Sequence, residues 1–259
     1  MRVAHPEALP IWGGTDVMVE LNFARKRPEA LLDLTRVGEL ARWSEHDGWF
    51  RIGAGVTYTR VIDELGPQLP GLALASRTVG SPQIRNRGTI GGNLGSASPA
   101  GDALPPLYAA GAEVELASAS GSRRVPVDEF VAGPKRTALA PDELIAAVWV
   151  PAASGPQQFA KVGTRNAMVI AVCSFALDLG TGRTCIGSAG PTPLRAHEAE
   201  AFLAGAEPGA AAAARFGELV AAAASPIDDV RGTAAYRRHA LGVLARRTLT
   251  WAWEERACV

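Results

Sequence analysis

Two glycine pairs, Gly13-Gly14 and Gly91-Gly92, are the parts of this chain best suited to chemistry. Short polar residues flank each: Thr15 and Asp16 beside the first, Thr89 and Asn93 beside the second. Glycine lets a main chain approach phosphate oxygens and aim N–H groups at them. A hydrogen bond to a charged acceptor is worth roughly 1.5–3 kcal/mol, enough to offset glycine's conformational cost. Taken alone, a glycine pair is more common in a plain turn. The spacing fits neither GxGxxG nor GxxxxGK[ST], so dinucleotide-fingerprint and P-loop binding are excluded. The second pair lies in PQIRNRGTIGGNLGSASPAGD, residues 82–102, which shows no amphipathic period. That segment reads as a loop that adds nothing to a core and holds its backbone against a phosphorylated cofactor.

The elements that must position these loops alternate short apolar runs with helical patterns over the first 150 residues. Such alternation argues for α/β layers rather than a sandwich or a bundle. LPIW leads into the first glycine pair, and VMVELNFAR follows with a mostly apolar face. ALLDLT reads as a strand with Asp33 outward, and WFRIGAGVTYTRVIDEL as a strand and then a helix. A helix over about 102–111 takes Asp102 as its N-cap and holds Pro105 and Pro106 in its first turn. AEVELAS and SRRVPV form a hairpin. A strand ends at Val150, residues 151–156 form a linker, and three antiparallel strands follow, with GTG as one turn. The C-terminal part is helical. Its last helix opens near Thr233 and turns Leu241, Leu244, Thr248 and Trp251 to the core, with Arg237, Arg238, Arg246 and Arg247 on a solvated face.

Composition removes several classes of function. The 259 residues suit one large or two modest domains. Twenty-six basic residues balance twenty-six acidic ones, which leaves no electrostatic footprint for nucleic acid. No apolar run reaches the roughly 18 residues of a membrane span, and MRVAHPEALP lacks the apolar core of a secretory signal. Cys173, Cys185 and Cys258 fit neither a disulfide framework nor a metal motif, and read as free thiols in a reducing cytoplasm. None of His5, His46, His197 and His239 lies near the glycine motifs, so no catalytic side chain is assigned.

The pairing of motifs is more specific than either alone. GGTD is followed about 75 residues later by QIRNRGTIGGN and then by SPAGD; PDEL at 141–144, FAKVGTR at 159–165 and SPIDDVRGTAAYRRHAL at 225–241 come later. With these strings the chain resembles, over essentially its whole length, the FAD-binding subunits of the xanthine dehydrogenase and carbon monoxide dehydrogenase family of molybdenum hydroxylases, and the xanthine dehydrogenase subunits most of all. The resemblance implies an α+β fold: a two-part FAD-binding domain of the PCMH type over residues 1–153, then a small domain of three-stranded antiparallel sheet and helices over 154–259. Members usually carry some twenty more residues ahead of GGTD. A strand and most of a helix are therefore expected to be missing, through a late-set start rather than by nature, which would leave an open sheet edge under the first loop.

Carried over by position, the resemblance implies that Ile11, Trp12, Gly13, Gly14, Thr15, Asp16 and Val17 wrap the FAD pyrophosphate. Thr89, Gly91, Gly92 and Asn93 hold its other side and the ribityl chain. Asp102 accepts from the adenosine ribose, Leu144 and Ile145 pack on the cofactor, and Lys161 lies by the flavin. The residues themselves leave some roles open: Lys161 pointing to solvent, Trp12 crowding the adenine or packing beneath the loop, and Arg85 and Arg87 ordering the loop rather than touching cofactor. The resemblance also implies a cytoplasmic dimer of heterotrimers with a [2Fe–2S] subunit and a molybdopterin subunit. Electrons from substrate oxidised at molybdenum would pass through the clusters to FAD and on to NAD⁺ or another acceptor. Alternatives are a carbon monoxide, aldehyde or N-heterocycle dehydrogenase subunit, a stand-alone flavin oxidase, or a scaffold subunit without flavin.

Overall fold

The computed structural model describes residues 2–258. A short strand β1 (Leu9–Ile11) leads through the first glycine loop into α1 (Val17–Asn22) and returns as β2 (Leu31–Asp33), which pairs parallel with β1. Next come β3 (Trp43–His46), β4 (Trp49–Gly53), α2 (Tyr58–Glu64), α3 (Pro70–Arg77), α4 (Pro82–Arg85), α5 (Ile90–Ser96) and α6 (Leu104–Ala110). The hairpin β5 (Glu113–Ser118) and β6 (Gly121–Pro126) precedes α7 (Val127–Phe130), β7 (Val131–Gly133), β8 (Arg136–Thr137) and β9 (Leu144–Pro151). The remainder is β10 (Gln157–Val162), β11 (Cys173–Asp178), β12 (Arg183–Gly187), α8 (His197–Leu203), α9 (Ala210–Ala223) and α10 (Ala234–Ala257).

The main sheet is antiparallel throughout, in the order β3-β4-β9-β5-β6. Alternation along its strands sends Phe50, Ile52, Val114, Leu116, Val148 and Val150 into one core, with Val61, Leu72, Leu94 and Leu107 from the helices. Arg51 and Glu115 lie on the opposite face, joined to each other and to the Trp149 indole, as a one-sided antiparallel sheet requires. A second sheet, β10-β11-β12, stacks behind α3 and α6. Both its faces are covered, so every residue of β11 is buried. Cys173, Phe175 and Leu177 pack against α9 and α10. Ala176, with Phe159 of β10, meets Ala75 of α3 and Ala109 of α6. The layers are therefore sheet, helices, sheet, helices, in accord with the α+β expectation.

Three sequence expectations change. Residues 82–102 are not a coreless loop: they contain α4 and α5, and Ile90 and Leu94 are fully buried in the first core. In α10, Leu241, Leu244 and Thr248 face inward as expected, but Trp251 is 45% exposed and Trp253 is buried instead. A 3.6-residue period stepped from Leu241 reaches position 252, so Ala252 and Trp253 turn inward and Trp251 turns out. Arg237 is not on a solvated face. Its guanidinium is buried and donates to Val172 O, Ser188 O and Asp229 Oδ1, tying α10 to three loops.

Candidate cofactor site

The first glycine loop is held by its neighbours and not by itself. A Cβ on Gly13 would stand 1.9 Å from Arg87 O, so only glycine lets this loop lie against the segment between α4 and α5. Trp12 packs beneath the loop: a Cβ on Gly55 would meet its ring at 2.6 Å. Arg87 donates to Trp12 O at 3.5 Å, and Arg85 donates to Val79 O and Gly80 O. Both arginines order the loops. Asp16 receives the Ser96 hydroxyl at 2.6 Å, which fixes the loop to the end of α5.

Within that loop the N–H groups of Gly13, Gly14, Thr15 and Asp16 have no acceptor among the described residues. Gly14 adopts φ +75°, a conformation that favours glycine. A short run of uncommitted amides in such a turn is a concavity for an anion. The second glycine pair differs. Ile90 N–H bonds Val56 O, Gly91 N–H bonds Ala54 O, and Gly92 N–H bonds the Thr89 hydroxyl at 3.0 Å. Thr89 is therefore the N-cap of α5, with its hydroxyl hydrogen still free to be donated. Gly91 serves packing, since a Cβ there would lie 2.4 Å from Ala54 Cβ. Asn93 supplies the free polar group of this half. Its Oδ1 is buried without a partner among the described residues, against Gly101.

Lys161 and Asp102 close the far side. Strand alternation puts Gln157, Phe159 and Lys161 on the β10 face that meets α3 and α6, so Lys161 does not reach solvent. Its side chain is 8% exposed, and its ammonium uses all three donors: Asp102 Oδ2 at 2.6 Å, Thr78 O at 2.9 Å and Val169 O at 3.1 Å. Asp102 is not the N-cap of α6. Ala103 occupies that position with no side-chain cap, because the carboxylate is drawn to Lys161. Burial lifts the Asp102 carboxyl above its ordinary range, and Lys161 opposes that lift without cancelling it. Asp102 Oδ1 has no partner among the described residues and remains an open acceptor. Ile145, at the start of β9, abuts α5 at Gly95, and Leu144 precedes it in register with Ala117.

Tyr58, absent from the sequence reading, belongs to this region. It is buried, and the charges of Asp102 and Asp16 add to burial in pushing its hydroxyl upward. Thr78 also enters through its carbonyl and hydroxyl. Neither carries a sequence signal beyond ordinary helix composition. The set offers uncommitted amides for an anionic group and buried acceptors, Asn93 Oδ1 and Asp102 Oδ1, for hydroxyl or amine donors. That donor and acceptor pattern fits a flavin dinucleotide. No group of histidine, cysteine or carboxylate side chains that could hold a metal ion occurs among the described residues.

Comparison with known proteins shows the family of the chain. Residues 1–153 match the family described as FAD binding domain in molybdopterin dehydrogenase, and residues 158–252 match the CO dehydrogenase flavoprotein C-terminal domain. The nicotine 6-hydroxylase medium subunit of Paenarthrobacter nicotinovorans is 32% identical over 92% of this chain and 87% of its own. The xanthine dehydrogenase FAD-binding subunit of Escherichia coli O157:H7 is 30% identical over 95% and 89%. Among solved structures, carbon monoxide dehydrogenase from Hydrogenophaga pseudoflava aligns with TM-score 0.91 at 30% identity, over 98% of this chain and 94% of that one. By sequence, fold and the chemistry of its loops, the chain belongs to the family of FAD-binding medium subunits of the molybdenum hydroxylases.

Proposed function

We propose that this chain holds FAD between the Gly13–Asp16 amides, Asn93 and the Asp102–Lys161 pair, and serves as the electron-transfer subunit of a three-subunit molybdenum hydroxylase. Bound FAD would supply two-electron chemistry between iron–sulfur clusters on one partner and NAD⁺ or another acceptor. The chain's own part is placement. Loop amides would take the pyrophosphate, Thr89 and Asn93 the ribityl side, Asp102 Oδ1 a ribose hydroxyl, and Leu144 with Ile145 an apolar edge. Gly91 and Gly92 shape α5 so that these groups face the loop. Lys161 would hold Asp102 in position and lend the site positive potential, although its donors are already shared among three oxygens. The observation that carries this reading is the run of amides from Gly13 to Asp16 without acceptors.

The substrate of the complex is proposed to be xanthine or a related N-heterocycle, oxidised on the molybdopterin subunit, in a cytoplasmic dimer of heterotrimers. Support comes from the named activities of relatives 30–33% identical: nicotine 6-hydroxylase, xanthine dehydrogenase and nicotinate dehydrogenase. No described helix is long and apolar enough to cross a membrane. The test is to assemble the chain with its iron–sulfur and molybdopterin partners and assay hypoxanthine, nicotinate and carbon monoxide with NAD⁺. Turnover of an N-heterocycle is expected. Turnover of carbon monoxide alone would overturn the substrate assignment.

A further inference from the structure

At the other end of the second sheet lies a cleft of about 380 Å³, far from the loops described above. Lys161 sits opposite Ser174, whereas Arg183 sits opposite Asp178, four residues further along β11. At about 3.3 Å per residue the two ends are some 13 Å apart along the strand. The cleft is walled by the β11–β12 turn, by α8 and by the last turns of α10. Arg183, Arg195 and Arg256 reach it, with Trp253 and Leu203 supplying an apolar wall.

Among the described residues one acidic side chain, Glu200, lines this cleft, and its bonds are already made. Glu200 accepts from Arg195 at 2.5 and 3.1 Å and from the Thr184 amide and hydroxyl at 2.8 and 3.0 Å. Arg183 is left over. Its guanidinium makes no ion pair or hydrogen bond among the described residues, and its Nε is buried and unsatisfied. The side chain cannot swing away freely, because Nη1 lies against Gly111, 2.9 Å from where a Cβ would stand. Burial, and then the like charge of Arg195, act against this cation, and the more distant carboxylates of Asp128, Glu200 and Asp178 offset them only in part. A half-buried guanidinium with unmet donors is costly unless an anion meets it, and the planar fork suits a two-oxygen acceptor.

We infer that this cleft binds a small dianionic oxyanion ligand, a phosphate ester or a dicarboxylate, whose charged group bridges Arg183 and Arg256 while its carbon skeleton lies on Trp253. The volume suits a metabolite rather than a bare ion.

Isothermal titration of the chain, with excess FAD in both solutions to fill the other anion site, tests it with two probes at matched ionic strength: inorganic phosphate and succinate. At least one should bind with a Kd on the order of 1 mM or tighter, and whichever binds names the class. Arg183→Gln should weaken that probe at least about tenfold, whereas Arg238→Gln on the exposed face of α10 should leave it unchanged. If Arg183→Gln does not fold, Arg256→Gln, at an exposed position, should give a similar loss. Binding of neither probe, or equal affinity in wild type and variant, overturns the assignment.

Discussion

At the scale of single residues, the Lys161–Asp102 pair shows how much a neighbour decides. Sequence alternation alone leaves Lys161 free to point outward, and a carboxylate ahead of a helix reads as a cap. Burial on both faces of the second sheet turns the lysine inward, and the carboxylate follows it. Breaking such a pair leaves one charge buried without compensation, at about 3–5 kcal/mol. Lys161→Met should therefore destabilise the chain by that order near neutral pH. The sign of the pH dependence follows from Asp102. Burial raises its pKa on folding above the ordinary 3.8, so it contributes stability at low pH that is lost as pH rises through the raised value. Without Lys161 the lift is larger. The penalty of the variant, measured by denaturant unfolding, should grow as pH is taken from about 4 to about 8. A penalty independent of pH would mean that the lysine matters only for packing.

Among elements, α5 is where sequence and structure part most clearly. Three glycines in seven residues carry a poor helix propensity, so the segment reads as loop. Packing overrides that preference: Ile90 and Leu94 enter the core, Thr89 caps the first turn, and Gly91 lets the helix touch Ala54. Which glycines matter follows from space. At Gly91 a Cβ would overlap Ala54 within 2.4–2.7 Å, main chain included, whereas at Gly95 the nearest atom is Ile145 Cδ1 at 3.5 Å. Gly91→Ala should lower the melting temperature. Gly95→Ala should leave it equal or raise it, within the roughly 1 kcal/mol by which alanine exceeds glycine in a helix. Thermal unfolding of the two variants side by side checks the ordering, and the reverse order would contradict this account of α5.

For the molecule as a whole, the proposed site is a seam. In that proposal one wall comes from the β1–α1 loop, a second from α5, and a third from a strand of the rear sheet reaching past α3 and α6. The strings GGTD and RNRGTIGGN reveal the first two walls in sequence, because unusual glycines and short polar residues leave a local mark. The third leaves almost none, since a single lysine in an apolar strand acquires its role only when the second sheet is stacked behind the first. Arg237 escaped sequence reading for the same reason: its carbonyl partners come from residues 172 and 188, far along the chain. The relative strengths of the two glycine loops also became visible only in three dimensions. The second loop's amides are already bonded at home, whereas the first loop's are open. FAD titration of wild type and Gly13→Ala tests this most directly. A Cβ at Gly13 collides with Arg87 O and must displace the amide run from the α4–α5 segment. Wild type should bind FAD, and Gly13→Ala should bind at least about tenfold more weakly while still unfolding cooperatively. Equal FAD affinity in the two proteins, or no FAD binding by wild type, would contradict the account.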